Sequence, residues 1–403
     1  MKKIKAPNPI VDLDGDEMAR VLWKWIKEML ILPYLDVDLK YFDYHLKHRD
    51  DTDNRVVTDA ANAIKKYRVG AKCAAINPDH ERVVEYGLKK AWPSPNSGTR
   101  NQIGGTLMRI PIVFKNVPRL VPAWEDAIVV ARHAYGGMYG GKDMSVPADS
   151  KVFLRFETND GKQSNEVQIH DFTGPGATLG IFNTKESVRG FAKACMNCGL
   201  DRAYPVYLGT KNTELEHYDG LFKATFQEVY DADFRAQFEA KGIWYEHRMV
   251  DELAAFAIKS KGGFVWACKN YDGDIQSDMV AAGFGSLGLM TSTLVTPDDS
   301  VTLTEAAHGT VTRHFREHQA GRETSTNPIA LLYAWTRAIY HRGRYDGTPE
   351  VQEFALKVEQ ACTEVVEAGN VTGDLAALMG VDKALTSREF LGKIKEALEA
   401  KLV

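Results

Sequence analysis

Phe264-Val265-Trp266-Ala267-Cys268-Lys269-Asn270-Tyr271-Asp272-Gly273-Asp274 passes from five apolar residues straight into a turn crowded with charge. Five unbroken apolar residues are too few for a helix and show no polar alternation, so they read as a strand covered on both faces. Strands of that kind belong to parallel sheets with helices on both sides. The same ending recurs: Asn77 follows the run at 69–76, Arg132 follows 127–131, and Lys211 follows 206–209 after Thr210. Between these runs lie helical patterns. At 16–30 the residues Met18, Val21, Leu22, Trp25, Ile26, Met29 and Leu30 recur at three- and four-residue spacing, and Pro33 ends the stretch. Further helices are expected at 187–200, 214–241 and 250–259, and over most of the chain from Asn327 onward. The fold class is therefore α/β, in which ligands sit just beyond the carboxyl ends of the strands.

One stretch breaks this rhythm. Between 136 and 180, Gly136-Gly137, Gly140-Gly141, Pro147, Asn159-Asp160-Gly161 and Gly174-Pro175-Gly176 punctuate strand-like pieces at 151–157 and 167–172. This pattern predicts a β-rich insertion with hairpin turns.

The chain has 403 residues, 44% of them hydrophobic and 26% charged, enough for two or three domains with sizeable cores and unlike a disordered or collagenous protein. With 50 basic against 54 acidic side chains the net charge is −4, which gives no bulk attraction for nucleic acid or anionic lipid. Five cysteines, an odd number, do not make a disulfide scaffold. Met1-Lys2-Lys3-Ile4-Lys5 is followed by Ala6-Pro7-Asn8-Pro9 and not by the apolar core of a signal peptide, and no apolar run reaches the span of a bilayer. The expectation is a cytoplasmic protein without membrane or nucleic-acid partners.

Several constellations could carry chemistry. Arg100, Arg109 and Arg132 lie in or beside segments rich in glycine, serine and asparagine; converging guanidinium forks would clamp a polycarboxylate, and ordinary surface ion pairs are the alternative. Asp274 and Asp278 would stand one turn apart on a helix beginning near Asp274. Two like charges so placed favour a bound Mg²⁺ or Mn²⁺, while Asp274 alone would be a helix cap. His308-Gly309-Thr310-Val311-Thr312-Arg313-His314 combines backbone N–H groups, hydroxyls and cations, as a phosphate cradle or a polar connector would. Tyr139 and Lys211 can both titrate and are candidates for acid–base work. Three motif matches are set aside. Gly283-Phe284-Gly285-Ser286-Leu287-Gly288 fits GxGxxG but continues a helix where a strand is required. Cys195-Met196-Asn197-Cys198 lies late in a helix, and Asn370-Val371-Thr372 lacks an export context.

Longer segments carry a resemblance. Asp14-Gly15-Asp16-Glu17-Met18, Val69-Gly70-Ala71-Lys72-Cys73-Ala74, Ser94-Pro95-Asn96, Ala131-Arg132-His133-Ala134-Tyr135-Gly136, the segment from Trp266 to Asp274, the segment from Glu305 to His314 and Glu323-Thr324-Ser325-Thr326-Asn327-Pro328 stand in one order almost end to end. In these the chain closely resembles the homodimeric, eukaryotic-like NADP-dependent isocitrate dehydrogenases, within the metal-dependent β-decarboxylating dehydrogenases. The resemblance implies oxidative decarboxylation of isocitrate to 2-oxoglutarate and CO₂ with reduction of NADP, dependent on Mg²⁺ or Mn²⁺. It implies a large domain from 1–103 and 285–403, a small domain from 104–136 and 185–284, a clasp at 137–184, and a homodimer with shared active sites.

By the same resemblance Asn77, Ser94, Asn96, Arg100, Arg109 and Arg132 would hold the substrate, and Tyr139 with Lys211 from the partner would be the acid–base residues. Asp274, Asp278 and a partner-chain Asp251 would bind the metal. The cofactor would be held by Lys72, Ala75, Asn77, Arg82, Gly309, Thr310, Val311, Thr312, Arg313, His314 and Asn327, with Lys259 from the partner. Arg313 and His314 would meet the 2′-phosphate that separates NADP from NAD. Two departures are visible. Where the family commonly has Ala-Thr-Ile-Thr-Pro, this chain has Ala74-Ala75-Ile76-Asn77-Pro78, and Phe256 stands where a glutamine is frequent. The rival expectations are a sister NAD-dependent isopropylmalate- or homoisocitrate-type enzyme and a non-enzymatic binding protein on the same fold.

Overall fold

A computed structural model describes residues 3–402. Its centre is a ten-stranded sheet. From one edge the strands run Tyr245–Met249, Val206–Thr210, Phe264–Cys268 and Ile128–His133, all parallel. Thr106–Pro111 and Met290–Val295 follow, each antiparallel to both neighbours. Thr302–Ala306, Val69–Lys72, Ile10–Asp14 and Leu39–Asp43 complete the sheet, again parallel to one another. The α/β expectation holds in both halves, and the seam between them is antiparallel. A six-residue connection at 296–301 is too short for a crossover, so Met290–Val295 and Thr302–Ala306 can pair only as a hairpin.

Helices cover the sheet with apolar faces. One hydrophobic cluster takes Leu22, Trp23 and Phe114 from the first third of the chain and Trp335, Phe354 and Leu391 from its end. A second runs from Met108 through Phe191, Phe222 and Phe238 to Ala267, so the middle of the chain packs mostly on itself.

Two expected helices are subdivided. The first runs Glu17–Ile26 and then widens over Lys27–Ile31; the pattern at 214–241 becomes Tyr218–Val229, a widened turn at Tyr230–Phe234, and Arg235–Ala240. The helix expected to begin near Asp274 begins one turn earlier, Asn270–Gly283, because the preceding strand ends at Cys268 and Lys269 is its cap residue. Asp274 therefore lies inside the helix and is not its cap.

The insertion consists of two antiparallel ribbons, Lys142–Val146 with Gly176–Gly180 and Ser150–Glu157 with Ser164–Phe172. Leu154, Phe156 and Val167 on the longer ribbon are all more than half exposed. Gly283 ends its helix where a Cβ would fall 2.1 Å from the Trp124 ring, which accounts for the glycine by packing. All five cysteines are free, and burial pushes the Cys195 thiol well up, which disfavours the reactive thiolate. Among the described residues no helix is long and apolar enough to cross a membrane.

Candidate active site

The antiparallel seam builds the site. Lys72 is paired with Glu305, Glu305 with Ser292, Ser292 with Arg109, and Arg109 with Val130, so these residues form one rung across five strands. Paired residues point to the same face, and Arg132 follows Val130 by two along its strand, which returns it to that face. Three of the cations so aligned, Lys72, Arg109 and Arg132, line a cavity of about 240 Å³ with Ser94, Asn96, Arg100, Tyr139 and Asp274. The arginine trio of the sequence does converge. Ser94 also caps the helix Pro95–Ile103, accepting from the Ser97 N–H at 3.4 Å, and this presents Asn96 and Arg100 on the first turns.

Glu305 is the residue that sequence reasoning missed. Burial alone would raise its carboxyl, but Arg100, Lys72 and Arg109 overcome that cost and hold it at about 2. Arg100 Nη2 donates to it at 2.5 Å and Lys72 Nζ lies 3.5 Å away. A glutamate inside the otherwise neutral strand Thr302–Ala306 was the available signal, although only the register names its partners. Burial and then the neighbouring Arg100 and Arg109 bring the Arg132 guanidinium down to about 10, so crowded cations face the cavity. Arg109 Nε and Asn96 Oδ1 are buried without a hydrogen-bond partner among the described residues. Such groups are costly unless a ligand completes them.

Asp274 is engaged by Arg132 and by the Tyr139 hydroxyl, and Arg109 Nη1 lies 3.6 Å from Asp274 and 3.7 Å from Asp278. Burial, and then the negative charge of Asp274, raise the Asp278 carboxyl against the pull of Arg109. Burial and then the bond to Asp274 raise the Tyr139 phenol, so it stays protonated near neutrality. A pair of crowded carboxylates with only oxygen donors suits Mg²⁺ or Mn²⁺. Among the described residues no three His, Cys, Asp or Glu side chains form a metal-holding group, so within one chain the candidate ligands are the pair Asp274 and Asp278.

Lys211 and Asp251 are paired with each other, Lys211 Nζ to Asp251 Oδ1 at 2.9 Å, and neither lines the cavity. Asp219, fully buried and also missed, accepts from the Lys211 backbone N–H at 2.6 Å and from Lys269 Nζ at 2.7 Å. Lys259 is exposed. Phe256, in place of a polar side chain, lies under the Arg248 guanidinium, 4.4 Å from its ring centre.

A second cavity, about 490 Å³, is lined by Gly288, His308, Val311, Arg313, His314, Thr326, Asn327 and Asp374. Its loop is tied down from below: Glu17 accepts from Thr310 at 2.5 Å and Thr312 at 2.6 Å, and Arg82 Nη1 lies 3.1 Å from Glu17. Arg82, Thr310 and Thr312 thus brace the loop without lining the cavity. Val311 has φ +58°, a strained backbone for a β-branched residue, held by those anchors. Gly309 opens onto the smaller cavity, as do Lys72 and Ala75; Asn77 is exposed and lines neither.

The sequence profile of isocitrate/isopropylmalate dehydrogenases matches residues 5–394. The chain belongs to this family of α/β dehydrogenases. Among its relatives, the isocitrate dehydrogenase (NADP) of Sphingobium yanoikuyae is 55% identical over 403 residues, covering 100% of this chain and 99% of its own. The mitochondrial isocitrate dehydrogenase (NADP) of Candida tropicalis is 53% identical, covering 98% and 93%, and the cytosolic isocitrate dehydrogenase (NADP) of Arabidopsis thaliana is 51% identical, covering 100% and 99%.

Proposed function

We propose that the protein oxidises and decarboxylates isocitrate to 2-oxoglutarate and CO₂, reducing NADP, with Mg²⁺ or Mn²⁺ bound. The observation that carries this reading is the cation-lined cavity, where Arg100, Arg109 and Arg132 converge beside Asp274 and Arg109 also reaches Asp278. A tricarboxylate needs the first set and a divalent cation the second. Ser94 and Asn96 complete the substrate contacts, the uncapped Asn96 Oδ1 taking the substrate hydroxyl or a water. Asp274 and Asp278 would hold a divalent cation, whose charge would lower the pKa of a neighbouring hydroxyl and polarise a keto group.

The protein's own groups handle the protons. The network of Lys211 and the Asp251 carboxylate paired with it would take the hydroxyl proton as hydride passes to the nicotinamide. Tyr139, kept protonated by burial and by Asp274, returns a proton to carbon after CO₂ departs. In one chain Lys211 and Asp251 lie outside the cavity, which supports a homodimer in which each site takes Tyr139, Asp274 and Asp278 from one subunit and Lys211, Asp251 and Lys259 from the other. The apolar ribbons of the 137–184 clasp are the proposed subunit contact, with the large domain from 1–103 and 285–403 and the small domain from 104–136 and 185–284. The cavity around Arg313, His314 and Asn327 would take the adenosine 2′-phosphate, with Arg82 bracing its loop and Lys72, Ala75 and Asn77 toward the nicotinamide side. Free thiols support a cytoplasmic setting.

The deciding experiment is isocitrate-dependent NADP reduction with Mg²⁺, repeated with EDTA and with Asp274→Asn. EDTA abolishes the rate and the variant lowers kcat at least about 100-fold. Activity surviving both treatments would overturn the metal assignment, and a preference for NAD would overturn the cofactor.

A further inference from the structure

His314 projects into the larger cavity with both ring nitrogens engaged. Nδ1 lies 2.7 Å from Thr326 Oγ1, and Nε2 lies 3.4 Å from Arg313 Nη2. These contacts set the tautomer from both ends. A guanidinium can only donate, so Nε2 must accept. Thr326 Oγ1 in turn donates to Thr324 Oγ1 at 3.4 Å, and Thr324 Oγ1 to the Met18 sulfur at 3.8 Å. The hydroxyl of Thr326 is thereby left to accept, and Nδ1 must carry the proton. Ser387, fully buried, fixes the frame: its Oγ accepts from the Thr326 N–H at 2.7 Å and donates to the carbonyls of Thr324 and Thr326 at 3.0 and 2.8 Å.

We infer that Thr326 is a positioning residue that holds His314 as a proton acceptor at Nε2, so that docking of a ribose 2′-phosphate in this cavity is coupled to uptake of about one proton. A phosphate dianion offers only acceptors, as does the unprotonated Nε2; the two meet only when a proton from solvent lies between them. Burial, and then Arg313, lower the imidazole pKa before the ligand arrives. A bound dianion neutralises Arg313 and favours the imidazolium. Uptake therefore occurs between the lowered free value and the raised bound one. The other charges facing the ring are Glu317 on its own helix, which is paired with Arg322, and Asp374 on Gly373–Met379; His308 stands in the same cavity wall. Asp374 is itself held by neutral donors, Asn327 Nδ2 at 2.9 Å and Thr372 Oγ1 at 2.8 Å. Lys259 of a second subunit would add a further cation. The inference rests on the proposed use of NADP.

Calorimetry of adenosine 2′,5′-bisphosphate binding to the full-length protein at pH 7.5, in buffers of different ionisation enthalpy, reads the proton directly. The wild type is expected to take up about one proton more with this probe than with adenosine 5′-monophosphate. Thr326→Val is expected to lose at least half of that excess and to lower the ratio of kcat/KM for NADP to that for NAD about tenfold, and Thr326→Ser restores both. Equal uptake with the two probes in the wild type, or undiminished uptake in Thr326→Val, overturns the inference. A wild type that binds the bisphosphate with proton uptake but does not reduce NADP with isocitrate overturns the proposed function and leaves this coupling standing.

Discussion

Glu305 carries a negative charge at the point where Lys72, Arg100 and Arg109 converge, and its cost or benefit is decided by what surrounds it. With its carboxyl depressed from the ordinary glutamate value to about 2, it stabilises the fold fully above that ordinary value and loses this contribution as pH falls toward 2. Replacing it by glutamine leaves buried cations unpaired, and loss of one partner from a buried pair costs about 3–5 kcal/mol. Urea denaturation at pH 7 is expected to show Glu305→Gln destabilised on that scale, with the gap to wild type closing as pH is lowered from about 4.5 toward 2. A gap that stays constant with pH would mean that the carboxylate is not the source. The arginines were legible in the sequence because three of them stand in small-residue loops or at a strand end. Glu305 was not, since the partners that give it meaning are more than 190 residues earlier and only strand register connects them.

The helix Asn270–Gly283 shows how tightly an element can tie two functional groups together. Gly273 precedes Asp274, and a Cβ there would fall 2.8 Å from both Cβ and Cγ of Arg132 and 3.1 Å from its Cα. Alanine would be favoured by about 1 kcal/mol on helix propensity alone, but here the obstruction is the root of a buried side chain, not its mobile end. Gly273→Ala is therefore expected to push Arg132 from its place and to lower kcat/KM for isocitrate by about 100-fold, the scale of a 1 Å misplacement, in steady-state assays. An unchanged value would show that the helix shifts bodily without disturbing the cavity. Sequence periodicity found this helix and the acidic pair on it, yet misjudged its start by a turn. The boundary is set by where the preceding strand leaves the sheet at Cys268, which local propensity does not contain. The single helix expected at 214–241 failed for a related reason: the widened turn at Tyr230–Phe234 keeps Tyr230 and Phe234 both in the core, a tertiary demand written over a continuous apolar pattern.

At the scale of the whole molecule, the proposed sharing of sites can be tested by complementation. Lys211→Met and Asp274→Asn homodimers should each be inactive. Unfolding and refolding them together gives hybrids in which one site receives Asp274 from the first chain and Lys211 from the second, both intact. Random pairing makes about half the dimers hybrid with one good site each, so activity should return to about a quarter of wild type. No recovery would place both residues in the same site of one chain. The exposed Leu154 and Phe156 make a second check: changing both to aspartate is expected to yield a monomer by light scattering and to abolish turnover. The α/β class and the ribbon insertion were legible from apolar runs and glycine punctuation. The antiparallel seam was not, because strand direction is a property of connections and partners.

That seam has a consequence for synthesis. Lys72, Arg100, Arg109 and Arg132 leave the ribosome long before Ser292 and Glu305, and the contact between Arg100 and Glu305 spans 205 residues. Until the last third of the chain emerges, the cations lack the carboxylates that pair with them, and the strands Thr106–Pro111 and Val69–Lys72 each lack a neighbour. Contacts this distant in sequence form late. The pocket for a polyanion is thus closed by a late-arriving glutamate, and a nascent chain stalled before residue 305 would hold Lys72 and Arg100 without the carboxylate that pairs with both.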